Sequence, residues 1–279
     1  LIMRKRKKLF GCIKYIVLAV LGVIVAFPFF WMISCALRLP NELLTSPPQL
    51  LPSNPVLDNF IHVLFETDVP RYFLNTLIVS ITATVLCIVI AVPAGYSFAR
   101  HSYRGKNLVV LLILLCNMIP QTSTLGPLYQ SLNNLRLIDN KIALAFTHLL
   151  CMLPFSIMMT RGFIRTLPKT LEEAAMIDGC TKIGTMARII LPICAPGIFA
   201  TAMYAFMISW EEFTYAMTFT TSKTARTISV GLEMFSTEFK VDWGSILASA
   251  VLMTLPILIL FFLIQDTFIA SATGGALKE

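Results

Sequence analysis

Charge is what this sequence has least of. Asp, Glu, Lys and Arg make up 13% of its 279 residues, about half the roughly 25% of a soluble domain. With 57% apolar residues and a mean hydropathy of +0.78, the chain has too little polar surface to enclose a core in water. That excludes a water-soluble globule and makes the bilayer the apolar surroundings. A G-x-x-x-x-G-K run is also missing. Without that phosphate cradle, the sequence offers no P-loop ATPase site of its own. Histidine is scarce, with only His62, His101 and His148, and no H-E-x-x-H occurs. His148 has no second ligand near it in sequence, so neither a metal site nor a membrane hydrolase is favoured. The seven cysteines are odd in number and form no C-x-x-C pair. Most lie in apolar runs, where cysteine acts as a small hydrophobe, which argues against a disulfide framework or a zinc site. No strand-like alternation, internal repeat or low-complexity tract occurs.

Long apolar runs are what the sequence has instead. About 20 residues at 1.5 Å each cross roughly 30 Å of hydrocarbon. Six runs qualify, although the fourth and sixth are short: Tyr15–Ser34, Leu77–Phe98, Leu108–Tyr129, Ile142–Met159, Ile193–Phe213 and Ile246–Ile264. Each is expected to be helical, because lipid offers no partners to backbone N–H and C=O groups. The basic run Arg4–Lys8 before the first of them resembles a signal peptide. The apolar run is longer than a signal core, however, and five more follow, so it reads as an uncleaved helix.

Basic residues orient the spans. With the N-terminus inside, Arg4, Lys5, Arg6, Lys7, Lys8, Lys14, Arg100, Arg104, Lys106, Arg161, Arg165, Lys169, Lys182, Arg188 and Lys278 are cytoplasmic. Arg38, Arg71, Arg136, Lys141, Lys223, Arg226 and Lys240 are outside. Fifteen against seven places both termini in the cytoplasm by the positive-inside rule. The net charge of +7 then reflects basic loops rather than nucleic-acid binding. The expected division is a basic N-terminus (1–14), a first transmembrane helix (15–34), an outer loop (35–71), a five-helix core (72–270) and a cytoplasmic tail (271–279). The outer loop holds Pro40, Pro47, Pro48, Pro52, Pro55 and Pro70, a density that favours extended, turn-rich structure.

One cytoplasmic stretch is polar between apolar neighbours. Thr170-Leu171-Glu172-Glu173 has the form of a capping box, although a start with Pro168 in the first turn also fits. Ala174 and Ala175 leave room for a partner's backbone. Glu173 and Asp178 offer carboxylates to basic groups, and Gly179 can end the helix in a left-handed conformation. A second amphipathic stretch runs through Ile183, Met186 and Ile190 to Leu191-Pro192. A plain interfacial helix is the bland alternative, but an acidic first half suits neither anionic lipid nor the inside bias.

Polar residues inside the spans are costly, about 2.5–3.5 kcal/mol for a charge at the bilayer centre. Asn75, Asn117, Gln121, His148, Glu211 and Glu212 should therefore face a wet cavity or a subunit interface. Asn75, Asn117, Gln121, Trp210, Glu211 and Glu212 are the candidates for a translocation path or gate. Interhelical hydrogen bonding is the competing role for Asn75 and Asn117.

The polar stretch reads Glu173-Ala174-Ala175, three residues, Gly179, nine residues, Ile189, one residue, Leu191-Pro192. This spacing resembles the EAA loop of ABC importer permeases. The resemblance covers nearly the whole chain and is to the maltose-type, binding-protein-dependent carbohydrate-uptake group. Phe73-Leu74-Asn75-Thr76, Ala94-Gly95-Tyr96-Ser97-Phe98-Ala99-Arg100, Met118-Ile119-Pro120, Leu128-Tyr129, Trp210-Glu211-Glu212-Phe213 and Val230-Gly231-Leu232 are similar to that group's patterns. Glu211 replaces an Asn, and Gln265-Asp266 with Thr273-Gly274-Gly275-Ala276-Leu277-Lys278 departs from its C-terminus, which puts one contact there in doubt.

The resemblance implies an all-α membrane protein with six transmembrane helices, the type I ABC importer permease fold, and an EAA coupling loop at 164–192. It implies a transport subunit without its own ATPase site, in a bacterial or archaeal plasma membrane. The expected partners are a second permease, two ATPase subunits that use ATP and Mg, and an external solute-binding protein. Glu172, Glu173, Ala174, Ala175, Asp178 and Gly179 would couple it to the ATPases. A sugar is the expected solute. Glycerol phosphate, a polyamine, or an ATPase-independent secondary transporter remain alternatives.

Overall fold

The computed structural model describes residues 2–236 and 241–274, with side chains over 13–236 and 241–262. Lys240, Gly275, Ala276, Leu277 and Lys278 lie outside the described residues, and Asp266 outside the described side chains. Apart from one isolated bridge between Ser236 and Val241, the regular structure among the described residues is helical. The chain divides into two compact units, residues 1–69 with 232–255 and residues 70–231 with 256–279.

The first unit is organised by α1 (Ile2–Ala36). Its stretch Ile13–Ala36 is apolar all round and long enough to span a bilayer, as a helix surrounded by hydrocarbon must be. The chain after it folds back onto its open end. The Asn59 amide donates to the carbonyls of Ala36 at 2.9 Å and Arg38 at 2.8 Å, supplying partners that a helix C-terminus lacks. Arg38 is buried, and its guanidinium donates to Ser34 Oγ at 3.1 Å and to the Gln49 carbonyl, and lies 5.0 Å from the Trp31 ring. The proline-rich segment is not wholly extended. Single turns of helix form at Pro40–Leu43 and Asp58–Ile61, and a π-turn at His62–Glu66.

The second unit is built on α2 (Val69–Arg100) and α5 (Lys141–Arg165). Val79, Ala83, Cys87 and Ala91 recur every fourth residue on α2, one buried stripe. They share a core with Leu144, Ala145 and Met152 of α5 and Ala205 of α8 (Ala195–Trp210). The N-terminus of α5 is capped by Asn140, whose Oδ1 accepts from the N–H groups of Ile142 at 2.9 Å and Ala143 at 3.1 Å.

One expected span is not a single helix. Leu108–Tyr129 is divided into α3 (Lys106–Cys116) and α4 (Gln121–Asn134), which meet at 93°. Pro120 has no N–H and disfavours helix at Ile119. The chain tightens as it arrives, with Asn117, Met118 and Ile119 bonding back to the third residue before each. The fifth run, Ile193–Phe213, lies almost wholly in α8, which ends at Trp210 rather than Phe213, and an 80° bend sets α8 off from α7 (Lys182–Ile193) before it. Four helices among the described residues are long and apolar enough to cross a membrane, or up to six if each bent pair is one crossing. The fourth and last helices, Lys141–Arg165 and Trp243–Gly274, are longer than their apolar runs, because backbone bonding continues past the end of the hydrophobic pattern.

The close packing of α8 on α5 rests on Gly197. A Cβ there would stand 2.3 Å from Phe163 Cγ. Gly197→Ala is therefore expected to lower stability by about 1–3 kcal/mol, the usual cost of overpacking. Thermal unfolding in detergent checks this, and adding Phe163→Ala should recover much of the loss.

At the other end of α5 the chain turns through Arg136 and Asp139, both at positive φ. The Asp139 carboxylate accepts from the Thr221 N–H at 2.6 Å, the Thr221 hydroxyl at 2.9 Å and the Ser222 N–H at 3.0 Å. Burial pushes this carboxyl up, but the hydrogen bonds from Ser222 and Thr221 outweigh it and hold it below its ordinary value.

Candidate functional site

The polar stretch folds as α6 (Thr170–Ile177), a tight turn, and α7. The capping box does not form. Lys169 is the N-cap, and its carbonyl accepts from Glu172 N–H at 2.9 Å and Glu173 N–H at 3.1 Å. The helix thus begins one residue early, right after Pro168, and Thr170 lies inside its first turn without capping it. Glu172 and Glu173 still sit in that turn, where negative charge favours the helix dipole.

The two glutamates have opposite surroundings. Glu172 is buried. Its Oε1 accepts from Arg100 Nε and its Oε2 from the Tyr96 hydroxyl at 3.0 Å, while Arg100 Nη2 also donates to the Leu167 carbonyl at 3.0 Å. Tyr96 and Arg100 are four residues apart on α2 and so share a face. They bolt α6 to the end of that helix. Ala175 turns inward with Glu172, whereas Glu173, Ala174, Asp178 and Gly179 are exposed. Glu172 and Ala175 are therefore not available to a partner on the outer face of α6, because the same helical period that exposes Glu173 buries them.

Gly179 ends the helix with φ +87°. Its N–H bonds to the Met176 carbonyl at 3.1 Å, and Cys180 N–H to the Ala175 carbonyl at 2.9 Å, the paired closure of a Schellman turn. Thr181 then caps α7, its hydroxyl accepting from Gly184 N–H at 3.1 Å. The sequence reading assigned no role to Tyr96, Arg100 or Thr181. The signals were present as the Tyr96/Arg100 spacing and a threonine two residues after a turn glycine.

A second polar cluster lies within the helices. Glu212 is buried just beyond α8 and caps the short helix Thr214–Phe219, accepting from Tyr215 N–H at 2.8 Å and Ala216 N–H at 3.0 Å. Gln121 Nε2, at the start of α4, donates to Glu212 Oε1 at 2.7 Å. His148 Nε2 lies 3.3 Å from Glu212 Oε2, and its Nδ1 is 2.7 Å from Ser209 Oγ. One carboxylate just past the end of α8 thus joins α4, α5 and the short helix Thr214–Phe219. His148 is a partner of Glu212, a role its sequence surroundings did not reveal.

The other candidates are placed differently. Trp210 is fully buried, with its ring against Phe73 and Phe206 at centroid distances of 5.5 and 5.4 Å. Asn75 donates to the carbonyls of Thr224 at 2.9 Å and Arg226 at 2.8 Å, so it holds a loop rather than a neighbouring span. Asn117 and Glu211 are exposed and lie outside the cluster.

Residues 88–272 match the family model of the binding-protein-dependent transport system inner membrane component. The chain belongs to this family. The permease is 34% identical to the trehalose/maltose transport system permease protein of Thermococcus litoralis, over 92% of this chain and 93% of that one. It is 32% identical to the sulfoquinovosyl glycerol transport system permease protein of Agrobacterium fabrum, over 95% and 93%. Its fold is similar to that of a chain in the crystal structure of a bacterial ABC transporter that imports the acidic polysaccharide alginate, with a TM-score of 0.77 at 18% identity over 94% of this permease and 97% of that chain.

Proposed function

We propose that this permease is one of two membrane subunits of an ATP-driven importer for a sugar or oligosaccharide, and that α6 is its joint to an ATPase. The observation that carries the reading is the split of the two glutamates. Glu172 fixes α6 to α2, and Glu173, Ala174, Asp178 and Gly179 are left facing outward. A helix bolted on one side and presented on the other transmits force. Movement of whatever grips the outer face would pass through Arg100 into α2.

The solute class is supported by the relatives, whose names include trehalose/maltose, sulfoquinovosyl glycerol and diacetylchitobiose transport. Six crossings follow if each bent pair counts as one, and the basic-residue bias then puts both termini and α6 in the cytoplasm. Two ATPase subunits using ATP and Mg, a second homologous permease and an external binding protein complete the assembly. A second structural neighbour, from an alginate transporter in complex with an alginate pentasaccharide-bound periplasmic protein, supports that last partner. Gln121 and Glu212, joined across a bend, are the residues best placed to hold a gate. ATP binding would have to favour one of two arrangements of the helices for α6 to drive the cycle.

Purification of the complex in gentle detergent should recover an ATPase with this permease, and recovery of none would overturn the reading. In the same complex, Glu173→Lys is expected to leave membrane insertion intact and to cut uptake at least ten-fold while ATP hydrolysis continues. Unchanged uptake would rule out direct docking through Glu173.

A further inference from the structure

The loop that joins α2 to α3 forms an open cavity of about 450 Å³ with the C-terminal end of α5. Phe98, Ser102, Lys106, Leu108, Arg161 and Arg165 are among its walls. Three of its side chains are cationic and none is acidic. Arg161 has no carboxylate partner among the described residues. Its one hydrogen-bond contact is Nη1 at 3.9 Å from Met158 Sδ, and its Nε is buried with no partner. A buried guanidinium donor without an acceptor carries an uncompensated cost of about 1–3 kcal/mol or more. An anion in the cavity would supply that acceptor.

The end of α3 adds to the same field. Gly105, at φ +85°, is its N-cap, no side chain caps it, and its first turn holds no acidic residue. Lys106 N–H bonds to the Tyr103 carbonyl at 3.3 Å and Val109 N–H to the Gly105 carbonyl at 3.0 Å. That leaves the first-turn N–H groups of Asn107 and Leu108, two of the residues that line the cavity, for an anion of the kind that binds at helix N-termini. Lys106 Nζ is held at 2.8 Å from the His101 carbonyl, which keeps its charge at the rim.

The surroundings choose the source of the anion. Leu108, Val109, Leu111 and Leu112 continue from the cavity along α3 and are 60, 41, 51 and 52% exposed. Phosphate-sized charge at one end and an apolar helix running away from it suit a molecule with an anionic head and acyl chains. We infer that this cavity binds the phosphate headgroup of an anionic phospholipid, with Arg161, Lys106 and the α3 N-terminus on the phosphate and Leu108 and its neighbours on the chains. Basic pockets between transmembrane helices on the side carrying positive loops recognise such headgroups. None of its wall residues belongs to the Glu172 anchor or to the Glu212 cluster. A bound lipid would fix the short 101–105 connection, and so the angle at which α3 leaves α2.

Native mass spectrometry of the intact importer complex, purified and then offered vesicles of phosphatidylglycerol or phosphatidylcholine, tests this. Retention of phosphatidylglycerol over phosphatidylcholine is expected, weakened about five-fold by each cation removed in Arg161→Gln and Lys106→Gln. Arg165→Gln, at an exposed position, keeps the test readable if Arg161→Gln misfolds, and Arg161→Lys should retain part of the binding. Equal retention of the two lipids would overturn the proposal, as would variants that retain lipid like the parent. Displacement of the lipid by millimolar inorganic phosphate would also overturn it, in favour of a free-anion site. So would a cavity that accepts lipid only after removal of the ATPase, because the basic face would then belong to that partner.

Discussion

Replacing Glu172 with alanine is expected to abolish coupled uptake while leaving the outward face of α6 chemically unchanged. The substitution removes the acceptor of both Arg100 Nε and the Tyr96 hydroxyl. Arg100 is almost wholly buried, with 6% of its side chain exposed, so it would keep a charge in a low-dielectric site with only the Leu167 carbonyl for company. Breaking a buried pair from one side costs about 3–5 kcal/mol. Much of that loss would fall on the segment 168–192 rather than on the core, since the pair is what attaches α6 to α2. Hydrogen exchange should therefore rise across α6 and α7 while α5 stays protected. ATP hydrolysis by the complex should persist, with uptake per ATP falling at least ten-fold. Glu172→Gln keeps an oxygen for Tyr96 and should be milder. Uniform loss of protection across the whole chain would show that the pair is a general core contact and not a joint.

The second large effect is expected at Glu212. Glu212→Ala withdraws the acceptor from Tyr215 N–H, Ala216 N–H and Gln121 at once, and leaves His148 without its carboxylate. Each buried donor left unpaired costs about 1–3 kcal/mol, and these four share one residue, so a loss of about 3–5 kcal/mol is expected. Glu212→Gln keeps the volume but puts an amide NH₂ among donors, and should recover less than half of the loss. Thermal unfolding of the purified permease measures both. Gln121→Leu should separate structure from transport. It removes only the link from α4 to Glu212, so it should cost about 1 kcal/mol in stability. If the link holds a gate, it should alter uptake far more than that. Uptake equal to the parent's would confine Glu212 to holding the short helix Thr214–Phe219.

Composition and periodicity determined a good deal by themselves. The shortage of charge and the six apolar runs were enough for a helical membrane protein, because hydrocarbon leaves the backbone no other way to bond. The spacing from Glu173 to Pro192 was enough to find the α6–α7 unit, because a left-handed glycine ends a helix by local geometry alone, and Gly179 does. Those signals live within a few residues of each other. The capping box was misread for the complementary reason. Thr170 and Glu173 have the right local pattern, but the N-cap of α6 is Lys169, right after Pro168, and Glu172 forms a buried pair with Arg100, 72 positions away. The same distance hid the partners of Glu212. Gln121 and His148 stood in separate apolar runs with nothing to show that one carboxylate would serve both. The bend at Pro120 turned the expected span Leu108–Tyr129 into a broken one, since a hydropathy run records length and not direction. The sequence alone thus determined that α6 exists and where it ends. Only the tertiary structure decided which of its faces is bolted down and which is free to be gripped, because that choice depends on a charge brought from another helix.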